Sequence, residues 1–113
     1  MSESSPNFPV DLSSARPKFD PVAVLFALGS PIRLPVMKML SAGRKMSIGE
    51  IAAALGRDID GVGKHMQVLL NAGLVEAFAG EDRRQTIYQI LAALRPSPGV
   101  LELGFAVVDL TKT

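Results

Sequence analysis

Ser47-Ile48-Gly49-Glu50-Ile51-Ala52-Ala53-Ala54-Leu55-Gly56, continued by Arg57-Asp58-Ile59-Asp60-Gly61-Val62-Gly63-Lys64-His65-Met66-Gln67-Val68-Leu69-Leu70, is the stretch that decides the fold. Ser47 with Glu50 three residues later is a capping-box pair, which starts a helix by satisfying N–H groups that have no partner inside it. Ile48, Ile51, Ala52 and Leu55 then recur at helical spacing and give this short helix one apolar stripe. Gly56 supplies a stop, and Asp58 or Asp60 stands ready to N-cap a second helix at once. In that second helix Val62, Met66 and Leu69 make the buried face, leaving Asp60, Gly61, Gly63, Lys64 and Gln67 outward. Two helices joined by so tight a turn, the second with a polar outer face, read as a helix-turn-helix.

The flanks are shorter elements of the same small domain. Residues 1–18 hold Pro6, Pro9 and Pro17 among serines, without periodicity, and are expected as a flexible N-terminal arm. Pro21 opens a helix in which Val22, Leu25, Phe26 and Gly29 share a face. Ser30-Pro31 starts another, through Ser41, with Ile32, Val36, Met39 and Leu40 as its core stripe. Pro35 cannot donate to the carbonyl of Pro31, so a kink or an irregular first turn is expected there. After the second motif helix, Asn71-Ala72-Gly73 is a stop. Leu74–Ala79 and Gln85–Leu91 are strand-like runs around the charged tip Gly80-Glu81-Asp82-Arg83-Arg84. A hairpin in that position is the wing of a winged helix-turn-helix, an α+β and mainly helical fold expected over residues 19–95.

Residues 96–113 form the tail. Arg95-Pro96-Ser97-Pro98-Gly99 breaks the chain before it. As a strand, Val100–Leu110 puts Leu101, Leu103, Phe105 and Val107 on one face; as a helix it aligns Leu101, Phe105 and Val108. Val107-Val108 and Gly104 favour the strand, an apolar element that either packs on its own core or makes a dimer contact.

Composition narrows the function classes. A chain of 113 residues, 48% hydrophobic and 20% charged, folds as one domain rather than staying disordered. It carries no cysteine, which removes disulfides and thiolate metal sites and fits a cytoplasmic location. No apolar run is long enough for a membrane span. A net charge of +1 is not the basic excess of a non-specific nucleic-acid binder, so any DNA binding depends on where the charges sit. With no cysteine nucleophile, no Gly-x-Ser-x-Gly, no phosphate loop and a lone histidine, the sequence reads as a non-enzyme without a cofactor.

Residues 26–91 resemble the ArsR-type (ArsR/SmtB-like) winged-helix transcriptional regulators. The likeness lies in Phe26-Ala27-Leu28-Gly29-Ser30-Pro31-Ile32-Arg33-Leu34, in Ile51-Ala52-Ala53-Ala54-Leu55-Gly56, and in Val62 with Lys64-His65-Met66-Gln67-Val68-Leu69. Ala72-Gly73-Leu74-Val75 and Ile87-Tyr88-Gln89-Ile90 complete it, in the family's order and spacing. The resemblance implies a homodimeric repressor that places its second motif helix in the major groove of operator DNA and its wing in a flanking groove. It also shows departures. Where many members bind metal through Cys-x-Cys, this chain has Ser47 and Gly49; past the wing it has only Glu102 and Asp109, so metal sensing is not expected. In the recognition helix Ile59, Asp60, Gly61 and Gly63 replace the family's common Ser, Thr and Gln.

The expected DNA-binding residues are Arg57, Asp60, Gly61, Gly63, Lys64, His65, Gln67, Arg83 and Arg84. Lys64 is the foremost, as a phosphate contact. Arg57 would hold the backbone at the helix entrance. Arg83 and Arg84 suit a narrow groove or phosphate, although Glu81 and Asp82 offset them. Asp60 repels phosphate unless it caps the helix or accepts from a cytosine amino group. Gly61 and Gly63 either let the backbone approach DNA closely or mark relaxed constraint. His65 falls where the family often has a histidine near the DNA backbone; a lone histidine beside an apolar stripe is more commonly packed. Gln67 and Asn71 are exposed amides, Arg33 is more structural than DNA-contacting, and Met37, Met39, Met46 and Met66 are core filler. Two function classes follow: a sequence-specific, dimeric regulator of double-stranded DNA, open to a small-molecule effector between the N-terminal helices and the tail, or a winged-helix module turned to protein–protein association.

Overall fold

A computed structural model of the chain describes residues 19–113; the arm expected over 1–18 lies outside the described residues. Four helices come first: α1 (Pro21–Leu28), α2 (Arg33–Leu40), α3 (Ile48–Leu55) and α4 (Ile59–Asn71), with a short strand β1 (Met46–Ser47) before α3. Strands β2 (Val75–Ala79) and β3 (Thr86–Ile90) follow as the wing. β3 lies centrally, antiparallel to both neighbours, in the order β1-β3-β2. The expected winged helix-turn-helix is formed.

The start and stop chemistry of the motif is that read from the sequence. The Ser47 hydroxyl accepts from the Glu50 N–H (3.1 Å) and the Glu50 carboxylate accepts from the Ser47 N–H (2.8 Å), closing the capping box of α3. Gly56 ends α3 with φ 66°, a left-handed conformation that costs glycine little. Asp58 caps α4 through the Gly61 N–H at 3.1 Å. Val62, Met66 and Leu69 of α4 are wholly buried and pack with Ile51 and Ala52 of α3 in one core. That core continues through Met37, Leu40, Leu74, Tyr88 and Ile90.

Three local expectations are corrected. In α1 the core takes Val24, Ala27 and Leu28, while Val22, Leu25 and Phe26 are exposed. Every position of Pro21-Val22-Ala23-Val24-Leu25-Phe26-Ala27-Leu28 is apolar, so the sequence carries no polar face to set the phase of burial. Helix α2 begins at Arg33 because the chain first turns through Pro31 and Ile32; the Ser30 hydroxyl accepts from the Ile32 and Arg33 N–H groups, both at 3.1 Å. Pro35 then falls in the first turn, where a missing N–H costs no helical hydrogen bond. Its buried face is Arg33, Val36, Met37 and Leu40, with Ile32 and Met39 only half-buried.

The third correction concerns the tail. In place of one strand, β4 (Val100–Glu102) and β5 (Val107–Asp109) form an antiparallel hairpin. Gly104, at φ 88°, makes the turn; its N–H is accepted by the Glu102 carboxylate (2.8 Å), and the Leu103 N–H reaches the Ala106 carbonyl (2.9 Å). Leu101, Leu103 and Leu110 join the main core, whereas Phe105 and Val107 face outward. The Gly99 N–H donates to the Ser41 carbonyl at 2.9 Å and fastens the tail to the end of α2.

Candidate nucleic-acid interface

The outer face of α4 is the feature that the fold leaves free for contact. Asp60, Lys64, Gln67 and Asn71, spaced four, three and four residues apart, form one exposed stripe opposite the buried Val62, Met66 and Leu69. Gly61 is exposed beside it and Gly63 is half-buried, its nearest neighbour for a Cβ being Ile48 Cδ1 at 3.5 Å. Asp60 does not cap the helix, because Asp58 does; in the first turn its carboxylate instead complements the positive end of the helix dipole. The Gln67 amide donates to Asn71 Oδ1 at 2.9 Å, one turn along the same stripe.

The wing tip is a turn held by Asp82. Its carbonyl accepts from the Gln85 N–H (2.8 Å) and its carboxylate from the Arg84 N–H (3.0 Å). The Arg84 guanidinium also lies 3.6 Å from that carboxylate, but at 92% exposure such an ion pair contributes little. Arg83 and Arg84 therefore project as exposed cations from a turn held by Asp82, and Arg57 is exposed in the turn between α3 and α4.

His65 sits apart from the stripe, half-buried, and its environment is more specific than the sequence indicates. Arg33 Nη1 lies 2.9 Å from His65 Nδ1. The same guanidinium donates to the Ala27 carbonyl from Nε (2.8 Å) and to the Phe26 carbonyl from Nη2 (3.2 Å). These carbonyls belong to the last turn of α1, where no helical N–H reaches them and the dipole is negative. Arg33 is thus a buried cation, 8% exposed, held by a helix end, with the Phe26 ring 5.2 Å from its Cζ. Burial, then Arg33, then Arg57, push the His65 pKa below its ordinary 6.5. Sequence reading placed Arg33 as structural but gave no signal of its link to His65, which joins residues far apart in the chain.

At the two positions where the Cys-x-Cys pair is missing, the Ser47 hydroxyl is engaged in the capping box and Gly49 offers no side chain. A shallow cleft of about 340 Å³ lies between α2 and the tail, lined by Lys38, Ser41, Ala42, Pro98, Gly99, Leu110 and Thr111. Among the described residues no single helix is long and apolar enough to cross a membrane; α1 and α2 reach that hydropathy only as a pair bent by 94°.

Comparison with known proteins gives a consistent picture. Residues 28–76 match the family model described as a helix-turn-helix domain. Among solved structures, the chain is similar to the homodimeric winged helix-turn-helix DNA-binding domain of a possible ArsR-family transcriptional regulator from Mycobacterium bovis. Identity there is 28%, over 64% of each chain, with a TM-score of 0.57. The transcriptional regulator HlyU from Vibrio vulnificus shows 26% identity over 71% of this chain and 76% of that one, at 0.54. HlyU from Vibrio cholerae, 23% identical over 74% and 80% with a TM-score of 0.56, shares the fold. No match is found among curated protein sequences. The winged helix-turn-helix fold expected from the sequence is therefore shared with these structures, one of them a possible ArsR-family regulator.

Proposed function

With residues 28–76 a helix-turn-helix domain set in an ArsR-like winged fold, we propose that this chain is a homodimeric, sequence-specific transcriptional regulator of double-stranded DNA, acting as a repressor. The observation that carries the reading is the exposed stripe of α4, with Lys64 at its centre, in the helix that such a motif lays in the major groove. Arg83 and Arg84 on the wing, and Arg57 at the helix entrance, add cations suited to phosphates on either side. Two-fold symmetry spaces the paired recognition helices about one DNA turn, roughly 34 Å.

The dimer reading draws on the outward apolar face of α1, where Val22, Leu25 and Phe26 are exposed, and on Phe105 and Val107 of the tail hairpin. Apolar surface of this kind suits contact with a second copy, and the similar Mycobacterium bovis domain is homodimeric. The same surface favours the second reading, a module used for protein–protein association without specific DNA binding. The cleft between α2 and the tail is where a small-molecule effector would fit. No thiolate is available to sense a soft metal.

Fluorescence anisotropy of labelled DNA from the upstream region, at two salt concentrations and against a random duplex, tests the proposal. Preference for the upstream sequence, steep loss with salt and weakening in Lys64→Ala are expected. Binding no tighter than to the random duplex, from folded protein at low salt, favours the association module instead.

A further inference from the structure

The bond between Arg33 and His65 has a consequence for DNA binding that neither residue has alone. A guanidinium donates hydrogen bonds and accepts none. His65 Nδ1, 2.9 Å from Arg33 Nη1, must therefore be the bare, accepting nitrogen of the ring. The single proton of the neutral imidazole then sits on Nε2. Arg33 is itself immobilised by two bonds to the end of α1, so the ring is held by a fixed group and not by a swinging side chain. A protonated ring would place an N–H against an N–H and a third cation beside Arg33 and Arg57. Among the described residues Nε2 meets no hydrogen-bond partner, and the ring is partly exposed on α4.

The geometry points to Arg33 as a positioning residue: anchored on the last carbonyls of α1, it locks His65 as the neutral Nε2–H tautomer and so presents a preset N–H donor to the DNA backbone. This rests on the proposed DNA-binding function. A donor oriented before the encounter loses little freedom on binding, which is the source of its contribution. The lock also gives α1, whose other face is the exposed Leu25 and Phe26, a direct mechanical connection to the recognition helix.

Two measurements decide it. The first is the tautomer, read by long-range proton–nitrogen correlation on the uniformly nitrogen-15-labelled full chain at pH 7.5. Protonation at Nε2 is expected; a proton on Nδ1, or a tautomer mixture, overturns the lock without any DNA being involved. The second is a double-mutant cycle of upstream-DNA affinity at constant salt with Arg33→Met, His65→Ala and the pair. Each single change is expected to weaken binding about tenfold, equivalent to about 1.4 kcal/mol. The double variant should be no weaker than His65→Ala alone, because Arg33 acts through the ring. Additive losses would make Arg33 merely structural and overturn the role. If Arg33→Met does not fold, the tautomer of the unmodified chain still decides the lock. Absence of specific binding by the unmodified chain would sink the DNA role through the function it rests on, with the tautomer still readable.

Discussion

Gly63→Ala separates two explanations for the glycines of α4. Gly63 lies inside the helix Ile59–Asn71 with ordinary negative φ, and an added Cβ would meet only Ile48 Cδ1 at 3.5 Å, a normal van der Waals distance. Nothing has to move, so the gain is that of alanine over glycine within a helix, about 1 kcal/mol. Gly61→Ala should gain less, because that residue lies in the first turn with its N–H already held by Asp58. Urea unfolding followed by far-UV circular dichroism should show a higher midpoint with an unchanged slope, and a Tm raised by about 4 °C. Unchanged or reduced stability would refute the reasoning, since it would mean that the helix packs more tightly on Ile48 than the 3.5 Å contact implies. The same variant then speaks to function. If glycine is present so that the α4 backbone can approach DNA closely, the methyl group should cost affinity, about tenfold for a loss near 1.4 kcal/mol. Greater stability with full affinity would show that the glycines answer to nothing in the complex.

Three further outcomes are expected. Ser47→Ala removes the hydroxyl that accepts from the Glu50 N–H, leaving the backbone N–H at residue 47 still able to donate to the Glu50 carboxylate, and should destabilise the chain by about 1 kcal/mol in the same unfolding assay; a change within experimental error would mean that α3 does not depend on its side-chain cap. Replacing Arg83 and Arg84 by alanine should make the log–log salt dependence of DNA affinity shallower by about 3–4 units if a dimer loses four phosphate contacts, whereas an unchanged slope would place the wing tip off the DNA. His65 releases its proton more readily when folded than when unfolded, so the unfolded chain binds more protons in that window and stability rises with pH. The contribution is complete above about pH 6.5, the unfolded value, and drains away as pH falls through the lowered folded one. Arg33 on α2 and Arg57 in the turn are the charges that set the shift, and with one histidine in the chain this window is uncrowded. Thermal melts across pH 5–8 should therefore flatten in His65→Gln; an identical profile would rule His65 out as the titrating group.

The motif was legible because its signals are local and chemical. Ser47 with Glu50, Gly56, Asp58 and Gly73 each mark an element boundary through backbone hydrogen bonding, which sequence displays directly. The period of Val62, Met66 and Leu69 was legible for a related reason: polar neighbours frame it. Helix α1 failed on that same count, since a uniformly apolar helix can be rotated without changing its pattern. The tail is not legible in the same way: Gly104 fits a strand interior by residue type, but its positive φ makes it a turn, and three-residue strands are too short to show a period of two. At the candidate site, the exposed stripe of α4 and the wing arginines follow from local pattern. The bond from Arg33 to His65 does not, because it depends on how α1, α2 and α4 come together.

Ser47 holds two structural posts at once. It N-caps α3, and as the second residue of β1 it is paired in register with Ile87 of the wing. The hairpin is thus riveted to the entrance of the helix-turn-helix and has no hinge of its own on that side. A reader built this way behaves like a calliper with its jaws set: the span from Lys64 to the wing arginines is fixed within each protomer. If the chain binds DNA as the proposed dimer, one inserted base pair inside a half-site should weaken recognition sharply, while the gap between half-sites would be set by the contact between the two copies. Operators for such a protein would tolerate variation in their centres and none in their arms.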